Sequence, residues 1–402
     1  MNFLAILALP FLTVLPHLRP DNISISVLSL FKPEALEVRI VGDGAILDAA
    51  GLANNLTLAR DESIRIHLSS GRLNLVVGGS HGTIRQSVSV SAVRIVPDDA
   101  STLELILPGK IKRTVRGTVS VDPGTGGRGP LRILVVTDRE SAVASVVAAE
   151  TSRREPAALM ALAVIVRTFM GSHEGRHSSA GFDFCDTTHC QLYRGEQDLA
   201  DREASPAVSQ AVAVTAGQIL SFEGRPVEGF YTSACGGLSA TPSMVWGGNT
   251  SYPYRRIACR WCQHSRFSPW ERSANAGQFF DALSAFIGSN LSGATELIPD
   301  ADPATGFVNS VTIRDERKSV VLGTDAFRRA IGLKLGWNTV LSSTFTVERR
   351  GAKFIFRGRG FGSQVGLCEE GAAAQAAAGR GYREILSFYY PGADITERAS
   401  HE

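Results

Sequence analysis

One segment, EPAALMALAVIVRTFM at 155–170, constrains the fold more than any other because it is apolar on nearly every face of a helix. Pro156 at its start favours the first turn of a helix. A helix without a polar face must be buried. Arg167 argues against a membrane span, since its guanidinium keeps its charge and needs a carboxylate or several carbonyls nearby. We therefore expect a central buried helix, with Glu150 and Asp186 as candidate partners of Arg167.

The chain before this helix is typical of β-structure. Short β-branched and partly alternating runs, separated by Gly, Asp, Asn and Pro, extend from about 22 to 135. Such runs predict strands. They are ISISVLSL, LEVRIVG, SIRIHLSS, LNLVVGG, RQSVSVSAVRIV, TLELILPG and LRILVVTD. This region contains no motif that carries chemistry.

From residue 138 onward the pattern is helical. SAVASVVAAE follows a candidate cap at Ser141, and SPAVSQAVAV begins with Ser205 and a proline. A hairpin is predicted over QILSFEGRPVEGFY, with its turn at Glu223 and Gly224. Two further helices are expected, an Ala-rich one from about Glu369 and a last one over YREILSFYY. The chain therefore changes from predicted strands to predicted helices near residue 138.

Length and composition limit the kind of protein. A chain of 402 residues with 44% hydrophobic and 20% charged residues is long enough for two or three domains. Lys and Arg number 41 against 39 Asp and Glu, without a long run of like charges, so nucleic acid is not an expected partner. We expect a hydrophobic segment at 1–18, a β-rich region at 19–120 and a mixed domain at 121–396. VDPGTGGRGP at 121–130 is either a linker or a long hairpin loop.

The hydrophobic segment at 1–18, MNFLAILALPFLTVLPHL, leaves two interpretations open. It contains two prolines and is too short and broken for a membrane span. It resembles the apolar part of an export signal, although the basic start and a small-residue cleavage site are missing. Export and burial as an N-terminal segment are the two alternatives.

The densest polar cluster is CDTTHCQLY at 185–193. Cys185, His189 and Cys190 are ligand types that can converge on one zinc ion. Cys259 and Cys262, in ACRWCQH, could complete that site or form a second one. The alternative is two local disulfides, which an exported protein favours. Spacing alone does not choose between metal and disulfides.

Two further motifs have a more limited meaning. RGRGFGSQVG has glycines at 358, 360, 362 and 366, which match neither a dinucleotide fingerprint nor a phosphate loop. Glycines at these positions would instead allow the backbone to approach an extended ligand closely. Glu150 and Glu155 flank TSRR before the buried helix, where desolvation could raise the pKa of a carboxyl and allow it to act as an acid. The alternative is an ordinary surface Glu at the end of a helix, which the residues alone favour.

Four ordered motifs across about 110–395 resemble the stage II sporulation protein D family, the SpoIID/LytB domain of peptidoglycan lytic transglycosylases. AAETSRREPAALMALAVIVRTFM resembles the family's Glu followed by an EALKAQAVAARTYA helix, and CDTTHCQLY matches its CDTTHCQVY. TAGQILSFEGRPVEGFYTSACGG and MVWGG resemble a TxGxVLxYxGxPixAxY run followed by GG and VWG. GRGFGSQVGLCEEGA with YYPG resembles the closing GxGxGHGVGMSQxGA and YYPG.

The resemblance implies an α+β SpoIID-like domain over 121–396 and an enzyme of the cell envelope. Its reaction is cleavage of the β-1,4 bond between N-acetylmuramic acid and N-acetylglucosamine in peptidoglycan strands stripped of peptides, giving a 1,6-anhydro sugar. A cell-wall amidase is an expected partner, and export an expected location. Glu150 takes the catalytic role. The residues that would line or brace the groove are Arg167, Gln191, Tyr193, Gly236, Gly237, Ser363 and Gln364. Structural zinc would be held by Cys185, His189, Cys190, Cys259 and Cys262.

One departure from the family pattern bears on activity. Ser363 stands where the usual GHGVGMSQ has its His, which removes a group that could bind glycan or hold a proton network. This leaves an alternative function, a weak or inactive peptidoglycan-binding protein of the same family. A zinc-dependent hydrolase is a third hypothesis, against which thiolate-rich ligation argues.

Overall fold

The structure is a computed structural model that describes residues 21–49, 52, 54–79, 83–124, 129–196, 205–291, 295–314 and 319–398. The predicted export segment at 1–18 lies outside these ranges. Within them, no helix combines the length and the apolar character that a membrane crossing requires. The mixture of helices and strands in several sheets confirms the α+β class.

The first part of the described chain consists of strands. They are β1 (Asn22–Ser26), β2 (Ala35–Val41), β3 (Gly44–Ala49), β4 (Leu56–Ala59), β5 (Ser63–Ser69), β6 (Arg72–Gly78), β7 (Ile84–Val90), β8 (Val93–Pro97), β9 (Thr102–Leu107), β10 (Ile111–Val115), β11 (Thr118–Asp122) and β12 (Arg132–Asp138). Each predicted run contains at least one of these strands. β3, β4, β10 and β11 were not predicted.

These strands form two sheets that share one core. The order of one sheet is β10-β9-β2-β5-β6-β7. The order of the other is β13-β1-β12-β11-β8-β3-β4, where β13 is Phe184–Cys185. In β2, Leu36, Val38 and Ile40 point inward and their neighbours outward, the period-2 pattern of a sheet with one solvated face. Both sheets contribute to the first hydrophobic core.

The second of these sheets continues across the predicted boundary at residue 120. β1 pairs antiparallel with β12 and parallel with β13, so β1 lies beside the start of the CDTTHCQLY motif. β11 and β12 pair antiparallel, with Asp122 opposite Arg132. The segment 121–130 therefore includes a hairpin loop between β11 and β12. Of the two interpretations, linker and hairpin loop, the structure agrees with the second.

The helices of the first core are α1 (Arg139–Glu150), α2 (Pro156–Ser172), α3 (Ser205–Val214), α7 (Glu369–Ala377) and α8 (Tyr382–Tyr389). α2 is the predicted buried helix and packs against the four others. The cap of α1 differs from the prediction, because the Asp138 side chain accepts the Ser141 N–H at 2.9 Å. Ser141 thus lies inside the first turn.

The expected partners of Arg167 were wrong. Its guanidinium is fully buried and makes two hydrogen bonds to Glu140 on α1, of 2.6 and 2.7 Å. Glu150 and Asp186 have other roles. Glu140 lies in the first turn of α1, and its separation from Arg167 in the sequence does not single it out as the partner.

The remaining elements build a second core and the frame of the site. The insertion, residues 270–358, contains β17 (Trp270–Asn275), α5 (Ala276–Ile287), β18 (Glu296–Ala301), β19 (Val308–Arg314), β20 (Ser319–Gly323), α6 (Thr324–Leu335), β21 (Phe345–Arg350) and β22 (Lys353–Gly358). Its two three-stranded sheets, β17-β22-β21 and β18-β19-β20, enclose a separate hydrophobic core.

Outside the insertion lie β14 (Gln218–Phe222), β15 (Arg225–Pro226), β16 (Tyr231–Thr232), α4 (Pro242–Trp246), β23 (Leu367–Cys368) and β24 (Asp394–Glu397). β14 and β15 form the predicted hairpin, with its turn at Glu223 and Gly224. β16 pairs in parallel with β23, which brings Tyr231 opposite Leu367.

Candidate functional site

Glu150, the last residue of α1, is held by two donors that reach the same carboxylate oxygen. Its Oε1 accepts the Leu192 N–H at 2.9 Å and the Tyr231 hydroxyl at 2.8 Å. Burial raises the pKa of Glu150, and the two hydrogen bonds and the charge of Arg194 oppose that rise. Glu150 is therefore a carboxyl whose proton is retained to higher pH than usual, with donors ready for its ionised form.

Toward Glu150, the Tyr231 hydroxyl acts as a donor. Burial raises its pKa well above the ordinary value, and the negative charge of Glu150 raises it further. The phenol is therefore protonated at neutral pH. Its position is fixed because β16 is paired with β23, so the backbone that carries Tyr231 is part of a sheet.

A second acid lies close to Glu150. Glu369 is the first residue of α7 and only 8% exposed. Burial raises its pKa well above the usual range, and the charge of Glu150 adds to that effect. Next to it, Glu370 forms an ion pair with Arg153. A small cleft beside these groups is lined by Thr151, Arg153, Leu159, Leu162, Leu367 and Glu369.

The CDTTHCQLY loop positions Glu150 because it is anchored at both ends. Near its start, Asp186 Oδ2 accepts the Leu28 N–H at 2.9 Å and is paired with Arg113 at 2.5 Å. Near its end, the Leu192 N–H reaches Glu150. The motif therefore links the N-terminal sheets to the carboxyl of α1.

The same loop brings four metal-ligand types together, the Cys/His cluster of His177, Cys185, His189 and Cys190. Their ligand atoms lie within 4.8 Å of one another, with His177 Nε2 at 3.2 Å from Cys190 Sγ. Hydrogen bonds from Cys190 and Thr187 lower the pKa of Cys185 to about 3. The donor set can hold a metal. His177 was not predicted, and its only signal is a position eight residues before Cys185 in the same connection.

The two other predicted ligands belong to a second group, the four-cysteine cluster of Cys235, Cys259, Cys262 and Cys368. All four are buried, and their sulfur atoms lie within 4.8 Å of one another. The sequence left open whether Cys259 and Cys262 complete the first site or form another. The structure groups them with Cys235 and Cys368. Those two cysteines are isolated in sequence, so spacing could not identify them.

Three of the predicted groove residues are buried in the first core. Arg167 is fully enclosed, with its NH1 donating to the Gln218 carbonyl at 3.0 Å in addition to its pair with Glu140. Gln191 and Tyr193 are 4% and 3% exposed. In this structure their side chains brace the α2 face and the CDTTHCQLY loop.

The other predicted residues lie where the core meets the insertion. Gln364 Nε2 donates to the Cys235 carbonyl at 2.8 Å, and its Oε1 accepts the Ser343 N–H at 3.1 Å. Gly236 has φ +71°, and a Cβ there would lie 2.8 Å from the Arg359 backbone. The Gly237 carbonyl accepts the Cys259 N–H, and Ser363 accepts the Val365 N–H.

A family model and several known proteins match this part of the chain. The family model described as SpoIID, Stage II sporulation protein, matches residues 128–222. An uncharacterized protein of Brachyspira hyodysenteriae is 28% identical over 241 residues, covering 60% of this chain and 61% of that protein. Stage II sporulation protein D of Bacillus subtilis is 27% identical over 270 residues, covering 64% and 74%.

The amidase enhancer of Bacillus subtilis is 24% identical over 433 aligned positions, covering 94% of this chain and 57% of the enhancer. The chain thus spans less than two thirds of the Brachyspira protein and of the enhancer. The segment matched by the family model contains Glu150, the buried helix α2 and the CDTTHCQLY loop. These matches confirm the resemblance drawn from the motifs: over residues 128–222 the chain matches the SpoIID family of Stage II sporulation proteins.

Proposed function

We propose that the protein is a lytic transglycosylase that cleaves the β-1,4 bond between N-acetylmuramic acid and N-acetylglucosamine in peptidoglycan strands stripped of peptides. The observation that carries this proposal is the environment of Glu150. Its pKa is raised by burial, and two donors, Leu192 N–H and Tyr231 O–H, reach the same oxygen. A carboxyl of this kind can give a proton and later take one back.

The proposed reaction uses that one carboxyl twice. Protonated Glu150 gives its proton to the glycosidic oxygen as the bond from C1 to that oxygen breaks. The resulting carboxylate then takes the proton of the C6 hydroxyl while O6 bonds to C1. The products are a 1,6-anhydro-muramic acid end and a free N-acetylglucosamine end, and no water is consumed. Ordinary glycosidases instead divide these tasks between two carboxylates.

The two oxygens of Glu150 have different tasks in this proposal. Oε1 accepts both hydrogen bonds, so the proton of the acid form belongs on Oε2. When the proton leaves, Leu192 and Tyr231 stabilise the carboxylate that forms. Because Tyr231 stays protonated, it offers this hydrogen bond throughout the reaction.

The Cys/His cluster fits a structural zinc ion. Two thiols and two imidazoles within 4.8 Å of one another would supply all four ligands of a zinc ion, whereas catalytic zinc keeps one position open. The ion would hold the loop that carries the Leu192 N–H. This ligation argues against the zinc-hydrolase hypothesis. We assign the metal no step in the reaction.

The proposed setting is the exported part of the cell envelope. One relative is named an amidase enhancer and another a Stage II sporulation protein D. An amidase removes stem peptides, and stripped strands are the substrate proposed here. A cell-wall amidase is therefore the proposed partner.

A second candidate function is binding of peptidoglycan without turnover. The observation that favours it is Ser363 in place of the family's His. The Ser363 hydroxyl accepts a hydrogen bond from Val365 at 3.3 Å, so it caps its own loop. In this alternative the protein directs other cell-wall enzymes to the strand.

Product analysis separates the two functions. We would incubate the purified chain with amidase-treated peptidoglycan and analyse the products by mass spectrometry. Release of sugars lighter by one water than the hydrolysed forms is expected from the wild type and from Glu155→Gln, and none from Glu150→Gln with its fold retained. Equal release by Glu150→Gln contradicts the mechanism. Binding of strands by the wild type without release supports the second candidate.

A further inference from the structure

The four-cysteine cluster has the geometry of a single metal site. Cys235 Sγ and Cys262 Sγ are 3.5 Å apart, and no two of the four sulfur atoms are separated by more than 4.8 Å. Four thiolates at 2.3 Å from one zinc ion in a tetrahedron lie about 3.8 Å from each other. Each sulfur therefore has three sulfur neighbours at close to the separation that zinc requires.

The groups around the sulfur atoms are donors aimed at thiolates. Two backbone N–H groups, of Cys235 and Gly371, point at Cys368 Sγ at 3.3 and 3.4 Å. Cys368 also caps the N-terminus of α7, where the helix dipole favours negative charge. The Tyr389 hydroxyl lies 3.2 Å from Cys259 Sγ and donates to it when the sulfur is ionised. Such outer hydrogen bonds orient the ligands of a metal site.

Space at the cluster is also restricted. A Cβ on Gly371 would lie 2.1 Å from the Tyr389 hydroxyl and 2.8 Å from Cys259 Sγ. All four cysteines are at most 1% exposed. Several thiolates buried together without a cation would carry a large desolvation cost. The four sulfur atoms can therefore be ionised together only around a cation at the centre.

We propose that Cys235, Cys259, Cys262 and Cys368 bind one structural zinc ion as four thiolates, at a site separate from the Cys/His cluster. Disulfides join sulfur atoms in pairs, whereas here every sulfur has three close neighbours. An iron–sulfur cluster places several irons and sulfides between its cysteines and needs more room than one ion. The donor set and its size fit zinc.

The position of the site gives it a structural task. Cys262 lies just before the insertion and Cys368 just after it, so one ion would join the two chain segments at which the insertion leaves and re-enters the first core. Cys368 also belongs to β23, and its neighbour Thr232 in β16 follows Tyr231. The proposed ion thus fixes the strand pair that carries the donor to Glu150.

Metal analysis of the full wild-type chain tests the proposal directly. We expect two zinc ions per chain and an average X-ray absorption shell of three sulfur atoms to one nitrogen, the mean of both clusters. One zinc per chain with equal numbers of sulfur and nitrogen overturns the proposal. So does iron at the cluster, or mass-spectrometric detection of disulfides among these four cysteines.

Substitutions assign the ions to their sites. Cys185→Ser with Cys190→Ser removes the first site, and this variant should keep one zinc bound by sulfur alone. Zinc-free protein that retains the wild-type fold overturns the proposal. If this variant does not fold, the ratio of sulfur to nitrogen ligands in the X-ray absorption shell of the wild-type chain tests the proposal instead.

A milder change reports on the outer hydrogen bond. Tyr389→Phe removes the hydroxyl at Cys259 and should weaken zinc retention against a chelator by about 10-fold or more. Tyr252→Phe is the matched control, because its hydroxyl donates to the Pro391 carbonyl away from the cluster. Equal zinc retention in the two variants contradicts a thiolate at Cys259.

Discussion

Burial and two hydrogen bonds to one oxygen act in opposite directions on the ionisation of Glu150. Burial raises the pKa of this carboxyl, and the Tyr231 hydroxyl opposes the rise because it stabilises the carboxylate. The proposed first step needs the protonated form, so the rate should fall as pH increases through that pKa. The difference in the position of this fall between the wild type and a variant without the hydroxyl measures the Tyr231 contribution.

Tyr231→Phe should move the fall to higher pH. A hydrogen bond to a charged group contributes about 1.5 kcal/mol or more, so the expected displacement is about one pH unit. The measurement is the release of anhydro sugars as a function of pH. Tyr382→Phe, which loses a hydroxyl bonded to Gln218, should leave the fall where it is. A Tyr231→Phe profile that falls at the wild-type pH would contradict the proposed role.

Glu369 lowers stability at neutral pH. Its pKa in the folded chain is raised by burial, so in the range above its ordinary value near 4.5 the folded state holds more protons than the unfolded state. Stability then decreases as pH increases through that range, and it is highest below it. An uncharged isostere should remove this loss.

Glu369→Gln should raise the free energy of unfolding by about 1 kcal/mol or more at pH 7, and by much less at pH 4. Urea unfolding at the two pH values measures the difference. Glu34→Gln, at an exposed position, should change neither value. A gain of equal size at both pH values would show that ionisation of Glu369 is not its cause.

At the scale of elements, α1 and α2 are joined by an ion pair with one fully buried partner. Arg167 has no exposed side-chain surface, whereas Glu140 is 37% exposed. Removing one partner leaves a buried charge without compensation, which costs several kcal/mol in a closed interior. Partial exposure of Glu140 reduces that figure.

Glu140→Gln should therefore destabilise the protein by about 1–3 kcal/mol, because an amide replaces one of the two carboxylate acceptors with a donor. Denaturant unfolding gives the value. Glu296→Gln, whose partner Arg314 is also more than half exposed, should cost less than about 1 kcal/mol. Similar costs for the two variants would show that the pair between α1 and α2 contributes no more than a surface pair.

The elements also show what sequence patterns could predict. α2 was predicted because its sequence is apolar on nearly every face of a helix. The hairpin of β14 and β15 was predicted because Glu223 and Gly224 separate two strand-like runs. The partner Glu140 was missed because its contact with Arg167 depends on how α1 packs against α2, whereas the cap at Asp138 is a local contact that the sequence analysis assigned to Ser141 instead. The short strands β16 and β23 have no pattern of their own, because pairing across more than a hundred residues creates them.

The candidate site was also predicted only where its residues lie in local motifs. Local motifs identified Glu150, Cys185, His189 and Cys190, all of which lie in the segment matched by the family model. Cys235 and Cys368 were absent from the prediction, since each is a single cysteine in its segment. Tyr231 was missed as well, although its hydroxyl contacts Glu150. Residues that come together only in the folded chain have no characteristic spacing in the sequence.

At the scale of the whole molecule, the described residues form two large hydrophobic cores and a small third cluster of Ala240, Phe307 and Val365. The first contains the N-terminal sheets and the helices around α2, and the second is enclosed by the insertion. The four cysteines of the four-cysteine cluster belong to the first core, and Gln364 follows the insertion in the chain. Because the second core has its own aromatic interior, we expect it to lose its structure without unfolding the first.

Phe279→Ala should destabilise the insertion selectively. The ring of Phe279 is fully buried and lies 5.3–5.6 Å, between centroids, from those of Phe327, Phe354 and Phe356. Its removal is expected to cost about 3–5 kcal/mol. Hydrogen exchange followed by mass spectrometry should then show lost protection within 270–358 and retained protection in α2.

Leu105→Ala, a truncation in the first core, is the matched control and should reverse this pattern of protection. Both substitutions create a cavity in a buried core. A difference in the pattern of protection between the two variants therefore reports in which core the cavity lies. If Phe279→Ala also removes protection from α1 and α2, the two cores unfold as one unit. The segments on either side of the insertion, which contain Cys262 and Cys368, would then transmit the loss of structure to the strands that hold Tyr231.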